Sequence, residues 1–259
     1  GVLFRSQPRC SELMESFKTR PSPTLVGGPG SLAQLADCVK EIGGSQVLIV
    51  TDSGIVSAGH VERATSKLSE AGIEFTVYDA THENPGESDI KAAAEFARGV
   101  EVDCIVGLGG GSSMDTAKGC NFLLTNGGAM SDYKGYALAA SPMLPFIAIP
   151  TTAGTGSECQ SYAVISRDGS HEKMACGDPK ALAKFAILDP ELTESMPQPV
   201  AILTALDALA HALDTAVCTR RTAFSPAFSR EAFRRIASPI EPVRRGRASR
   251  EAGGVLGVG

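Results

Sequence analysis

The 259-residue sequence lacks several features that would indicate other classes of protein. None of its seven cysteines forms a C-x-x-C pair, which argues against zinc-ribbon and thioredoxin-type motifs. No uninterrupted apolar run approaches the roughly 20 residues that span a bilayer, and residues 1–20 contain no continuous apolar core of a secretory signal. We therefore predict a cytoplasmic protein with reduced thiols and no membrane partner.

Histidine is scarce, and none follows His211. The other three, His60, His82 and His171, are expected on helix faces or at the surface. The first residue is not Met, from which we expect a processed chain or a fragment.

The net charge of −5 is unevenly distributed along the chain. Residues 219–250 contain nine Arg against Glu231 and Glu241, so the rest of the chain is acidic. A basic tail can bind nucleic acid, but this one lacks interleaved aromatic residues and a binding fold. We predict no nucleic-acid partner, and we expect residues 236–259 to be disordered because they show no amphipathic period.

Apolar segments alternate with helical patterns through the first two thirds of the chain. Strands are predicted at residues 24–26, 46–50, 74–78, 102–108 and 146–149, and a long helix at 56–71. This order predicts an α/β fold with a parallel sheet covered on both faces. We divide the chain into an extension (1–23), an α/β domain (24–188), the start of a helical domain (189–235) and the tail (236–259).

A glycine-rich turn follows the strand that contains Cys104. Gly109, Gly110 and Gly111 are followed by Ser112 and Ser113, either of which is expected to cap the next helix. Glycines allow close approach of a ligand, and the free N–H groups of a helix start favour an anion. The turn is therefore a phosphate site or an ordinary strand-to-helix turn. It is not a Walker A loop, because no Lys directly follows the last glycine.

Two further patterns carry chemistry. Asp52 ends a predicted strand, where its carboxylate either accepts hydrogen bonds from a ribose or caps the following helix. Asp207 and His211 are four residues apart in a helical segment and share one face. They form either half of a metal site or a simple Asp–His hydrogen bond.

Four motifs in series resemble the iron-containing, metal-dependent alcohol dehydrogenase family. They are GGGSSMDTAK (109–118), IPTTAGTGSE (149–158), DPELTESMP (189–197) and TALDALAHALD (204–214). The resemblance runs from about residue 24 to about residue 235. It implies an oxidoreductase with a Rossmann-like domain that uses NAD and a metal ion on a small alcohol, aldehyde or ketone, in a homodimer or a larger assembly.

The family's cofactor residues match a defined set of positions here. They are Asp52, Asn84, Gly110, Gly111, Ser112, Thr151, Thr152, Lys173 and Leu192. An acid at the Asp52 position implies NAD in preference to NADP. Without the resemblance, Asn84 is equally well explained as a turn residue, and Lys173 is better explained as a solvated hairpin residue.

The resemblance also implies that Asp207 and His211 are two ligands of a catalytic Fe²⁺ or Zn²⁺. The sequence departs from the family at Ala205, where Gly is usual, and in having no downstream histidine to supply the remaining ligands. We predict an NAD-dependent alcohol dehydrogenase that is impaired in this chain. The alternatives are an inactive NAD-binding remnant and a dehydroquinate-synthase-like or glycerol-dehydrogenase-like relative, the synthase being disfavoured by IPTTAGTGSE.

Overall fold

The computed structural model describes residues 23–170, 172–219, 222 and 224–237. Nearly all of the predicted N-terminal extension (1–23), nearly all of the tail that was expected to be disordered (236–259) and His171 lie outside these residues.

The described residues form nine strands and seven α-helices. The strands are β1 (Thr24–Gly27), β2 (Gln46–Val50), β3 (Glu74–Tyr78), β4 (Cys104–Gly109), β5 (Gly135–Tyr136), β6 (Phe146–Pro150), β7 (Tyr162–Ser166), β8 (Lys173–Gly177) and β9 (Phe185–Leu188). The helices are α1 (Leu35–Glu41), α2 (Ser53–Ser57), α3 (His60–Glu70), α4 (Glu87–Arg98), α5 (Gly111–Asn126), α6 (Gln198–Val217) and α7 (Ser225–Ala237).

Six strands form one parallel sheet in the order β1-β9-β6-β4-β2-β3. Successive side chains of a strand point to opposite faces. In β2, Leu48 and Val50 accordingly join the core under α4 and α5, whereas Val47 and Ile49 join the core under α1 and α3. Both faces of the sheet are covered, which confirms the predicted α/β fold and explains why the central strands are continuously apolar.

The sheet contains one strand that the sequence analysis did not predict. β9 is a four-residue apolar run, and it lies between β1 and β6. The helix expected at residues 56–71 is also wrong in detail, because it is two helices. Gly59 adopts φ 79° between α2 and α3, a left-handed conformation that interrupts the helix.

β5, β7 and β8 form a smaller sheet of three strands. β7 and β8 pair antiparallel as a hairpin, and β5 adds to β8 in parallel. Ala163, Ile165 and Met174 of this hairpin join the core on the α5 side of the main sheet. The smaller sheet thereby positions Lys173, the first residue of β8, within hydrogen-bond distance of Asn84.

α6 is the one helix in the described residues that is long and apolar enough to cross a membrane, by length and composition only. The sequence shows no long uninterrupted apolar run here because Asp207 and Asp214 lie among the apolar residues of α6. Core helices of soluble proteins satisfy the same criterion, so the absence of a membrane partner stays a prediction. α6 packs against α7 and the loop after β6, where Ala205, Ile236 and Ala153 form a small buried cluster.

Candidate functional site

The carboxyl ends of three neighbouring strands bring the predicted cofactor residues to one edge of the main sheet. In the order β6-β4-β2, these strands are followed by Thr151, Gly110 and Asp52, respectively. The chain runs from β2 outward to β3 and then returns to β4 on the other side of β2. Open α/β sheets bind ligands at such a reversal of strand order.

The glycine-rich turn leaves the start of α5 without a side-chain cap. Gly110 is the N-cap residue, and no side chain among the described residues bonds to the first turn as a cap. The expectation that Ser112 or Ser113 caps α5 is therefore wrong. Ser113 instead donates from Oγ to Asp52 Oδ2 at 3.1 Å, and Ser112 Oγ accepts from the Asn84 N–H at 3.2 Å. The uncapped N–H groups and the helix dipole favour an anion here.

The loop after β6 forms the second wall of this site. The Thr151 N–H donates to the Gly109 carbonyl at 2.9 Å, which joins the loop to the turn. A Cβ on Gly111 would lie 3.1 Å from the Thr155 methyl group, so a side chain at position 111 would force the two walls apart. Thr152 Oγ1 is buried and has no hydrogen-bond partner among the described residues. This hydroxyl is available to a bound group.

Asp52 performs the cap function that the sequence offered as its alternative role. Its Oδ1 accepts from the N–H groups of Gly54 and Ile55 at 2.9 and 3.1 Å, at the start of α2. Its side chain remains partly exposed beside the glycine-rich turn. A contact with a ribose therefore stays a prediction, and the carboxylate retains lone pairs for it.

Asn84 and Lys173 lie 89 residues apart in the sequence and meet in the structure. Lys173 Nζ donates to Asn84 Oδ1 at 2.6 Å, so Lys173 is not simply a solvated hairpin residue. Asn84 has φ 52°, a left-handed conformation that Asn adopts in turns more readily than most residues do. Together with the bond from Asn84 to Ser112, this arrangement connects Lys173 to the start of α5.

Leu192 is placed differently from the other predicted cofactor residues. Its side chain is fully buried in the core on the α1 and α3 side of the sheet. In this conformation it packs against core residues, and a cofactor contact at Leu192 stays a prediction.

A buried polar network lies behind the turn, and its central residue, Lys118, was not among the predicted site residues. Lys118 of α5 is 1% exposed and donates to Ser157 Oγ and to three backbone carbonyls. The carbonyls of Ser157 and Gln160 lie in the loop after β6, and that of Tyr162 lies at the start of β7. Ser157 Oγ in turn donates to Asp115 at 2.9 Å. Burial lowers the pKa of Lys118 to about 8, opposed by Asp115 and Glu158, and burial raises the pKa of each of these carboxyl groups.

α6 closes the site from the other side. A Cβ on Gly154 would overlap the Thr204 carbonyl of α6, so only glycine permits this approach of loop and helix. The loop, α6 and α7 enclose a cleft of about 560 Å³, whose lining includes Thr152, Glu158 and His211. The cleft therefore extends from the edge of the predicted cofactor site to the predicted metal site.

Asp207 and His211 face each other on α6 but do not complete a metal site. Asp207 Oδ1 lies 3.6 Å from His211 Nε2, and the two side chains are about half exposed. Within the described ranges, no group of three His, Cys, Asp or Glu residues could hold a metal ion. A catalytic site needs about three protein ligands, so this pair alone does not fit Fe²⁺ or Zn²⁺. His60 bonds to Ser195, and His82 pairs with Asp89.

Comparisons with known proteins agree with this geometry. The chain is 36% identical over 214 residues to the NAD-dependent methanol dehydrogenase of Bacillus methanolicus, which covers 83% of this chain and 56% of the relative. The iron-containing alcohol dehydrogenase of Thermotoga maritima superposes with a TM-score of 0.83 at 30% identity, over 91% of this chain and 65% of that one. The chain thus spans little more than half the length of this curated relative.

A third similar protein was solved with a nucleotide bound. The sulfoacetaldehyde reductase of Bifidobacterium kashiwanohense, in complex with NAD⁺, superposes with a TM-score of 0.76 at 25% identity, over 94% of this chain and 67% of that one. Residues 22–190 match the sequence model described as iron-containing alcohol dehydrogenase. The match covers well over half of the chain and includes the turn, the loop and the buried network. The chain belongs to the iron-containing alcohol dehydrogenase family.

Proposed function

We propose that this chain carries the NAD-binding part of an NAD- and metal-dependent alcohol dehydrogenase acting on a small alcohol or the matching aldehyde or ketone. Residues 24–188 form the nucleotide domain, and residues 189–235 begin the helical domain that carries Asp207 and His211. The whole enzyme would transfer a hydride between the substrate carbon and the nicotinamide.

The uncapped start of α5 is the observation that carries this proposal. Gly110, Gly111 and Ser112 offer free N–H groups to a pyrophosphate, and no side chain among the described residues occupies the position. Thr151 and Thr152 lie across from the turn, and Thr152 contributes an unpaired hydroxyl. Asp52 supplies a negative charge beside the turn, which suits ribose hydroxyls and repels a 2′-phosphate.

NADH titration tests the nucleotide site directly. We compare the fluorescence of bound NADH in the wild type and in Gly111→Val, whose side chain would enter the space between the turn and Thr155. The matched control is Thr125→Val, at the opposite end of the same helix. We expect Gly111→Val to weaken binding at least about tenfold, while Thr125→Val leaves the affinity unchanged. Equal affinity in all three proteins would remove the turn from the site.

Some parts of the proposed reaction can be assigned to residues of this chain. NAD, when bound, supplies the hydride acceptor. The turn and the loop orient the dinucleotide, and α6 limits the access of water to the cleft. Asp207 and His211 supply two of the ligands that the family resemblance implies, so we assign no step to a metal on these two residues alone.

A second candidate is an NAD-binding chain without catalysis. The incomplete donor set at Asp207 and His211 favours it for this chain by itself. Assay of short alcohols with NAD and Fe²⁺ or Zn²⁺ separates the two candidates. Turnover supports the dehydrogenase, whereas NADH binding without turnover supports the binding protein.

A further inference from the structure

Lys118 is the most completely buried lysine or arginine side chain among the described residues, and its ammonium donates every hydrogen bond to the segment from Ser157 to Tyr162. Its Nζ donates to the carbonyls of Ser157, Gln160 and Tyr162 at 2.5, 2.9 and 2.9 Å, and to Ser157 Oγ at 3.0 Å. Hydrogen bonds from a charged donor are the strong ones, and burial excludes competing water. One side chain of α5 therefore holds the far end of the loop that begins at Thr151.

The near end of the same loop is held independently. The Thr151 N–H donates to the Gly109 carbonyl, and Thr151 is itself buried. Between these two fixed ends lie Gly154 and Gly156, both with positive φ. Glycines give this segment little conformational preference of its own. Its path across the start of α5 therefore depends on these two anchors and on the packing of Gly154 against α6.

That path sets the width of the proposed pyrophosphate site. A Cβ on Gly110 would lie 3.4 Å from the Thr152 methyl group, and one on Gly111 would lie 3.1 Å from the Thr155 methyl group. A shift of the loop by about 1 Å would open or close the groove, and misplacement of that size has a large effect on binding and catalysis. Lys118 belongs to the same helix whose start forms the other wall, so it couples the two walls rigidly.

We propose that Lys118 is a positioning residue for the dinucleotide: it fixes the loop after β6 against the start of α5 at the spacing that the bound pyrophosphate needs. This inference rests on the proposed function, because it concerns the same nucleotide site. Asp115 and Glu158 also belong to this arrangement. Asp115 accepts a hydrogen bond from Ser157 Oγ, and both carboxyl groups lie close enough to raise the pKa of Lys118.

Lys118→Met is the decisive variant, because it keeps the shape of the stem and removes every hydrogen bond. Burial already raises the pKa values of Asp115 and Glu158, which favours their neutral forms. The matched control is Asn121→Ala. Asn121 is equally buried on α5, but its amide bonds to the backbone of Leu144 in a different loop.

Two measurements on the full chain test the proposal. In Lys118→Met we expect amide hydrogen exchange in residues 152–160 to accelerate, and NADH affinity to fall, each by about tenfold or more. In Asn121→Ala we expect faster exchange around Leu144, with residues 152–160 and NADH affinity unchanged. If Lys118→Met does not fold, Ser157→Ala replaces it, with an expected loss of affinity of about threefold.

The outcomes separate this inference from the proposed function. Failure of the wild type to bind NADH refutes the proposed function. Wild-type binding with unchanged affinity and loop exchange in the Lys118 or Ser157 variant overturns the positioning role alone. Equal losses of affinity in Asn121→Ala and Lys118→Met also overturn it, because a general loosening of α5 would then suffice.

Discussion

Ser113 Oγ donates to Asp52 Oδ2 across 3.1 Å, and this bond joins the ends of two adjacent parallel strands. Asp52 follows β2, and Ser113 lies in the first turn of α5, which follows β4. The order of strands reverses between β2 and β4. The other carboxylate oxygen of Asp52 caps α2. One side chain therefore has a structural role and, in the proposed site, a role in selecting the cofactor, and the two must be tested separately.

Asp52→Asn separates charge from capping, because Asn caps helices as well as Asp does. We expect stability to change little, while the preference for NADH over NADPH narrows about fivefold. The reason is the loss of about 1 kcal/mol of repulsion between the carboxylate and a 2′-phosphate at roughly 4 Å. Dissociation constants of both cofactors, from fluorescence titration, provide the measurement. An unchanged preference would leave Asp52 with its cap function only.

Local patterns predicted the parts of the fold that depend on neighbouring residues in the chain. The buried strand Gln46–Val50 and the glycine-rich turn follow from an apolar run and from consecutive glycines, and the structure contains both. The cap of α5 was predicted wrongly because Ser113 bonds to Asp52, 61 residues away. No local pattern indicates that a more distant acceptor takes this hydroxyl.

The parts of the fold that the sequence did not predict depend on contacts between distant segments. β9 is only four residues long, and its pairing with β1 and β6 makes it a strand. Lys118 is a polar residue on a helix in the sequence, and its burial comes from acceptors 39–44 residues further on. A periodic pattern cannot identify such acceptors. The unsuitability of Asp207 and His211 alone as a metal site likewise becomes evident only when the exposure of the two side chains is known.

His60 should make the protein less stable in mild acid. Burial lowers the pKa of His60 below its usual 6.5, Arg63 acts in the same direction, and Asp189 opposes them. The unfolded chain then takes up a proton at higher pH than the folded protein does, so stability falls as the pH drops below about 6.5. We expect His60→Gln to reduce the fall in Tm between about pH 7.5 and about pH 5.5. Thermal melts at both values are the measurement.

The control for His60 lies on the same helix. Ser69→Gln changes an exposed residue of α3 and should keep the wild-type dependence of Tm on pH. If His60→Gln and Ser69→Gln show the same dependence as the wild type, another group is responsible for the acid sensitivity.

The chain alone should hold Fe²⁺ or Zn²⁺ weakly. Asp207 and His211 contact one side of an ion at most, and water would occupy its other positions. After loading and exhaustive dialysis we expect much less than one bound ion per chain by elemental analysis, and still less in His211→Ala. Tight stoichiometric metal with steady turnover would contradict this, and would mean that another chain or one of His60, His82 and His171 completes the site.

The outer face of α6 should cause self-association. Leu203, Leu206, Leu213 and Val217 are 66%, 51%, 52% and 76% exposed, and their spacing places them on one stripe of the helix. An exposed apolar stripe of this kind favours contact with another apolar surface. We expect the mass of the wild type from light scattering to rise with concentration, and the double variant Leu203→Glu, Leu206→Glu to stay at the mass of one chain.

Val56→Glu, on the partly exposed surface of α2, is the control and should associate like the wild type. The same concentration-dependent mass in the double variant would show that another surface drives association.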